Sequence, residues 1–262
     1  MARNLLAVFL AACLNLALGS PAIDGRIAGG YEASDGQFPY QAAIYIDSSE
    51  AVELETDAFC SGSLISENYV LTSARCLSKA EKVTVVLGGP RLDELEPNQV
   101  KVESSEFIIP EGYKSGAYEW DLGLIKLSEP VELADNIQPV KLAEGDDNYA
   151  GDVATVAGWG ATYQAQYILE PVLRWIESAI ISYRECIKDN SPYKQIVVEG
   201  SNICQLTGAK SACHGDAGAP LTLDGVQIGL VVSTPYNCFR GHPVVYTRVA
   251  TYIDWIKKNS DI

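Results

Sequence analysis

Beyond residue 26 the chain alternates short apolar runs with clusters of Gly, Pro, Asn and Asp. The runs are Gln41 to Ile46, Tyr69 to Thr72, Lys82 to Leu87, Leu122 to Leu127, Val153 to Ala157, Val226 to Val232 and Val244 to Val249. Runs this short, bounded by turn residues at this spacing, predict an all-β barrel or sandwich. The final stretch, Val249 to Lys258, sets Val249, Ile253, Trp255 and Ile256 near helical spacing, which predicts a short terminal helix docked on the β body.

The beginning of the chain follows another pattern. One Arg precedes an apolar run from Leu5 to Leu14, and the small residues Ala17 and Gly19 flank Leu18. That order predicts a secretory leader over residues 1–19, cut after Gly19. A membrane anchor needs about 20 unbroken apolar residues, and Asn15, Ser20 and Asp24 interrupt the run.

Composition narrows the functional classes. Lys and Arg number 19 against 34 Asp and Glu, a formal net charge of −15. That balance opposes binding to nucleic acid or to an anionic membrane surface, so neither is expected as a partner. Of the seven Cys, Cys13 lies in the leader, leaving Cys60, Cys76, Cys186, Cys204, Cys213 and Cys238. An even set in an exported chain predicts disulfides, although spacing alone does not choose the pairing. No CxxC pair or HxxxH spacing occurs, so no metal or other cofactor is expected. Acidic runs at Asp47 to Asp57, Asp93 to Glu96 and Glu144 to Asp147 read as solvated loops, as a surface for a basic partner or, at Asp93 to Glu96, as carboxylates for calcium.

Four segments carry chemistry: Arg26-Ile-Ala-Gly-Gly30; Cys60-Ser-Gly-Ser-Leu-Ile65 with Leu71-Thr-Ser-Ala-Arg-Cys76; Asp121-Leu-Gly-Leu-Ile-Lys-Leu127; and Cys213-His-Gly-Asp-Ala-Gly-Ala-Pro-Leu221. In this order, with Gly158-Trp-Gly160 and Tyr246-Thr-Arg-Val249, the chain resembles the chymotrypsin-like (trypsin-fold) serine proteases from Ile27 to its end. The resemblance implies two six-stranded antiparallel β-barrels with a cleft between them, followed by a C-terminal helix. It also implies the bridges Cys60–Cys76, Cys186–Cys204 and Cys213–Cys238, an activation segment over residues 20–26 cleaved after Arg26, and one protease-like domain over residues 27–262.

The same resemblance places two substitutions at the centre of the mechanism. The family attacks a peptide carbonyl with a serine hydroxyl, moves the proton through a histidine and orients that histidine with an aspartate. Where the family has Gly-Asp-Ser-Gly-Gly-Pro, this chain has Gly215-Asp216-Ala217-Gly218-Ala219-Pro220. Where the family has Thr-Ala-Ala-His-Cys, it has Thr72-Ser73-Ala74-Arg75-Cys76. A methyl group cannot attack, and a guanidinium stays protonated at any working pH. Asp121 alone keeps its motif. The two His, His214 and His242, lie outside the segment where a base belongs.

The remaining positions follow by resemblance. The oxyanion-hole amides fall at Gly215 and Ala217, and the activation pair at Ile27 and Asp216, kept either as a conformational switch or because a buried carboxylate needs a partner. Specificity-pocket positions fall at Ser211, Ser233, Pro235 and Val244. Proline in the substrate-pairing strand removes a donor and weakens strand-like peptide binding, through drift at an unused cleft or as part of a new surface. Arg75 is expected to turn inward onto Asp121 as a two-pronged pair; the alternative is that it points into the cleft or solvent while Asp121 keeps its other hydrogen bonds. The sequence thus predicts a secreted, non-catalytic, arthropod-like homologue. It would act by binding a protease, an inhibitor or another cascade component, as cofactor, decoy or modulator of a proteolytic cascade. A seven-residue activation segment leaves no clip-type domain of the kind carried by the best-known cofactors. The alternative is an inert or residually active digestive chymotrypsin-like endopeptidase.

Overall fold

A computed structural model describes residues 30–49, 58–94, 96, 98–161, 168–188, 191–208, 210–234, 238 and 241–262. The leader, Arg26, Ile27, Pro235 and the acidic stretch 50–57 lie outside the described residues, so the expectations placed on them are not addressed by the structure.

The first sheet is built from β2 (Gln41–Asp47), β3 (Phe59–Leu64), β4 (Tyr69–Thr72), β5 (Lys82–Leu87), β6 (Val100–Ser104), β7 (Glu106–Ile108) and β8 (Gly123–Lys126), in the order β6-β5-β2-β3-β4-β8-β7. β6 and β7 are separated by Ser105 alone, so six stretches of chain form a nearly closed barrel whose last stretch bends between its two neighbours. The bend is held locally: the Ser104 hydroxyl donates to the Lys126 carbonyl at 2.6 Å and accepts from the Glu106 N–H at 3.0 Å. Ala42, Ile44, Leu64, Val70, Val83, Val85, Leu87 and Ile125 fill the interior. Their alternation along each strand is the source of the periodicity in the sequence.

The second sheet contains β10 (Val153–Gly158), β11 (Arg174–Ile181), β12 (Asn202–Gln205), β13 (Pro220–Leu223), β14 (Val226–Ser233) and β15 (Val244–Arg248). β12 pairs with both β15 and β11 and closes a six-strand ring. Two short strands, β1 (Tyr31–Glu32) and β9 (Lys141–Leu142), attach to β11 and β14 from outside. A 3-10 turn over Val249–Tyr252 runs into a helix over Ile253–Asn259. Its Val249, Tyr252 and Ile256 pack with Leu71 and Leu124 of the first barrel and Leu230 of the second. This terminal segment therefore clamps the barrels together.

Polar contacts also cross between the barrels. Ser63 donates to Gln227 at 2.6 Å, and Gln41 donates to the Ala157 carbonyl at 3.1 Å. The three disulfides are the expected ones, Cys60–Cys76, Cys186–Cys204 and Cys213–Cys238, with sequence separations of 16, 18 and 25. Loops of this size contribute about 3 kcal/mol each in the chain-entropy model. Among the described residues no helix is long and apolar enough to cross a membrane.

Candidate functional site

Two loops meet between the barrels. The first leaves β4 and enters a one-turn helix, α1 (Ala74–Leu77). The second is the turn Cys213–Ala219 before β13. They touch closely: the Cys76 sulfur lies 3.9 Å from the Ala217 carbonyl oxygen, which also accepts the N–H of Ser61 on β3 at 2.8 Å. At Gly218, whose φ is +79°, a Cβ would collide with the Ser61 carbonyl and the Thr72 hydroxyl and would stand 3.1 Å from the Ser73 nitrogen. Only glycine lets the loops approach this far.

Asp121 forms the floor of the site and is 2% exposed. Its backbone is fixed just ahead of β8: the Thr247 hydroxyl donates to its carbonyl at 2.9 Å, and the preceding Trp120 N–H donates to the Tyr252 hydroxyl at 3.1 Å. The Ser73 hydroxyl donates to the Asp121 carboxylate at 2.6 Å and the Arg75 N–H at 2.9 Å, and the Ala74 N–H adds a third bond. Burial raises the carboxyl above its ordinary pKa, while these bonds and the Arg75 charge oppose the shift. Desolvation outweighs the donors.

The expected inward Arg75–Asp121 pair does not form. Arg75 is exposed, and among the described residues its guanidinium makes no ion pair. The main chain explains why. Residues 73–75 deliver a hydroxyl and two amides to the carboxylate, so its hydrogen-bonding capacity is met at the start of α1 and the guanidinium stays hydrated. Neither histidine contributes to this cluster. The His214 carbonyl accepts from the Ala161 N–H at 2.7 Å, and the His242 ring lies edge-on to Tyr193 at 6.3 Å.

Asp216 is the second buried carboxylate, 1% exposed. It accepts from the Gly160 N–H at 2.7 Å and the Cys213 N–H at 2.9 Å. Burial pushes it up to about 6 against these two bonds. The first described residues are tied nearby through Arg174, a residue the sequence reading did not single out. This buried guanidinium donates to Glu32 at 2.8 Å and to the Gly30 carbonyl at 3.4 Å.

Around Ala217 the turn has an uneven hydrogen-bond pattern. The N–H groups of Asp216, Gly218 and Ala219 donate to the carbonyls of Cys213, Val231 and Asp216, respectively. The N–H groups of Gly215, at φ +97°, and of Ala217 have no acceptor among the described residues. The Ala217 side chain is a half-buried methyl against the first barrel's core.

Three of the four pocket positions, Ser211, Ser233 and Val244, fall among the described residues. Ser211 is fully buried with its hydroxyl donating to the Ala212 carbonyl at 2.8 Å, and Val244 packs in the second barrel's core beside Ala212 and Ala219. Ser233 accepts at 2.7 Å from Tyr118, and Tyr193 also bonds it. Burial and the neighbouring Tyr118 push Tyr193 up to about 12. Ser73, Tyr118 and Tyr193 were missed from sequence. Ser73 stood in plain view, because it departs from the Thr-Ala-Ala-His-Cys pattern two positions before Arg75.

The acidic runs are partly neutralised within the chain: Arg91 pairs with Asp93 at 3.1 Å and Glu94 at 3.3 Å, and Lys257 pairs with Glu144 at 2.7 Å. A guanidinium thus stands in the Asp93 to Glu96 run where calcium was considered. Among the described residues, the grouping with metal-like spacing is Cys213, His214 and Cys238, and both sulfurs are tied in a disulfide.

Comparison with known proteins gives this geometry its family. The Trypsin family profile matches residues 27–256. Brachyurin of Leptuca pugilator is 35% identical over 90% of this chain and 99% of its own, and a chymotrypsin of Phaedon cochleariae is 36% identical over 93% and 86%. The solved HL collagenase structure superimposes with a TM-score of 0.77 at 35% identity, covering 89% of this chain and 98% of its own. The chain belongs to the trypsin family, with a chymotrypsin fold.

Proposed function

We propose that this chain is a secreted, non-catalytic member of the trypsin family that acts by binding protein, as a cofactor, decoy or modulator of a proteolytic cascade. One observation carries the reading: the position of the attacking hydroxyl holds the Ala217 methyl, and the position of the proton acceptor holds the exposed, permanently charged Arg75. Loss of nucleophile or base costs on the order of 10⁶ in turnover in this type of machinery. Meanwhile the frame around the site is kept, with Asp121, Asp216 and the Gly218 close approach all in place. Retained architecture without its reactive groups supports a role in recognition. The leader-like start and three disulfides support export to an oxidising compartment.

The relatives' printed names are those of proteases, and the test is therefore turnover. The protein, before and after cleavage following Arg26, is incubated with a panel of chromogenic peptide amides and esters. The expected rate equals that of buffer. Turnover that persists at constant specific activity through two unrelated purifications overturns the reading.

A further inference from the structure

Three observations converge on the junction between α1 and the 213–219 turn. The N–H groups of Gly215 and Ala217 find no acceptor among the described residues, although those of Cys213, Asp216, Gly218 and Ala219 in the same turn are bonded and Gly215 is buried. Unspent buried backbone donors are rare and point to a ligand or solvent acceptor. Arg75, carried on the helix that abuts Ala217, holds a guanidinium with no ion pair among the described residues. Both buried carboxylates close by already have their own donors: Asp121 the Ser73 hydroxyl and the Ala74 and Arg75 amides, and Asp216, between Gly215 and Ala217, the Gly160 and Cys213 amides.

We infer that this junction binds the free C-terminal carboxylate of a peptide, one oxygen on the Gly215 and Ala217 amides and the other facing Arg75. The inference rests on the non-catalytic reading, because a hydroxyl at 217 and an imidazole at 75 would instead make the same place reactive. A carboxylate fits for three reasons. It is planar with two acceptor oxygens, it matches the fork of a guanidinium, and it gains from two preorganised amides that a neutral carboxamide uses less well. The Ala217 methyl leaves room where a hydroxyl would stand. No bond is made or broken: the site retains an end that proteolysis has already created.

The test is calorimetric titration of the protein cleaved after Arg26 with an N-acetylated tetrapeptide ending in Ala, supplied as free acid and as amide, with sodium acetate as a third arm. The acid should bind at least ~10-fold more tightly than the amide, and Arg75→Gln should bring the acid down to the amide's affinity without changing the latter. Equal affinities for acid and amide, or no effect of Arg75→Gln, overturn the inference. Acetate binding as well as the peptide acid overturns its peptide part. Chromatography of the titration mixture separates this from the parent reading: a hydrolysed amide overturns the non-catalytic assignment, whereas intact peptides with no acid preference overturn only the carboxylate site.

Discussion

Asp121 and Asp216 are the same residue type, buried to the same degree, and the protein treats them differently. Asp121 receives a hydroxyl and two amides from one continuous stretch, Ser73 to Arg75. Asp216 receives two amides from separate loops, at Gly160 and Cys213, and burial lifts it to about 6. The first is satisfied by its own neighbourhood and no longer needs a cation. The second retains the electrostatic demand that a partner charge would meet. The two carboxylates are thus held by separate sets of contacts, so the two halves of the site should respond to substitution independently.

The largest test of that separation restores the missing groups. Arg75→His together with Ala217→Ser should hydrolyse a short peptide ester at least ~10³-fold faster than either single replacement, because Asp121 still stands where an imidazole would be oriented. Steady-state rates of the three variants decide it. A double variant no better than the singles shows that the Ser73 hydroxyl has taken Asp121 out of service.

Next in size is the pH response of Asp216. Its native carboxyl holds a proton up to about pH 6, whereas the unfolded chain releases it near 3.8. The stabilisation is complete below the unfolded value and is lost as pH rises through the native one, so the uncleaved chain should lose about 3 kcal/mol between pH 4 and 7 from this group. Urea unfolding of the wild type and Asp216→Asn across that range measures it. The variant should show a flatter profile, and identical profiles would remove Asp216 as the source.

Ser73→Ala tests the other carboxylate. Taking away the 2.6 Å donor should cost about 1–3 kcal/mol at neutral pH, read as a lower denaturation midpoint. The smallest effect belongs to Arg75→Gln, which should change stability by no more than about 0.5 kcal/mol, because the guanidinium is exposed and makes no ion pair among the described residues. A loss of several kcal/mol there would restore the inward pair that the structure replaces with main-chain bonds.

Much of this was legible in the chain itself. β4 and β5 run over the residues that alternation predicts, Tyr69–Thr72 and Lys82–Leu87, because each buries one face in a barrel. The terminal helix was legible from its spacing, but not its opening 3-10 turn, which follows from how Val249 and Tyr252 wedge between barrels. The break between β6 and β7 was hidden, since it depends on a Ser104 bond to a distant strand. At the site, motifs located both carboxylates and the Ala217 turn. They could not give the direction of Arg75, which is decided by competition with backbone amides, nor the Tyr118–Ser233 bond between residues 115 apart. Contacts made across the cleft by side chains outside any motif leave no local pattern to read.

The most direct measurement of the central claim is intact-mass spectrometry of the protein, cleaved after Arg26, following exposure to excess fluorophosphonate. The account predicts an unchanged mass under conditions that fully label an active trypsin-family enzyme run alongside. A stoichiometric adduct mapping to a serine beside the 213–219 turn would contradict it.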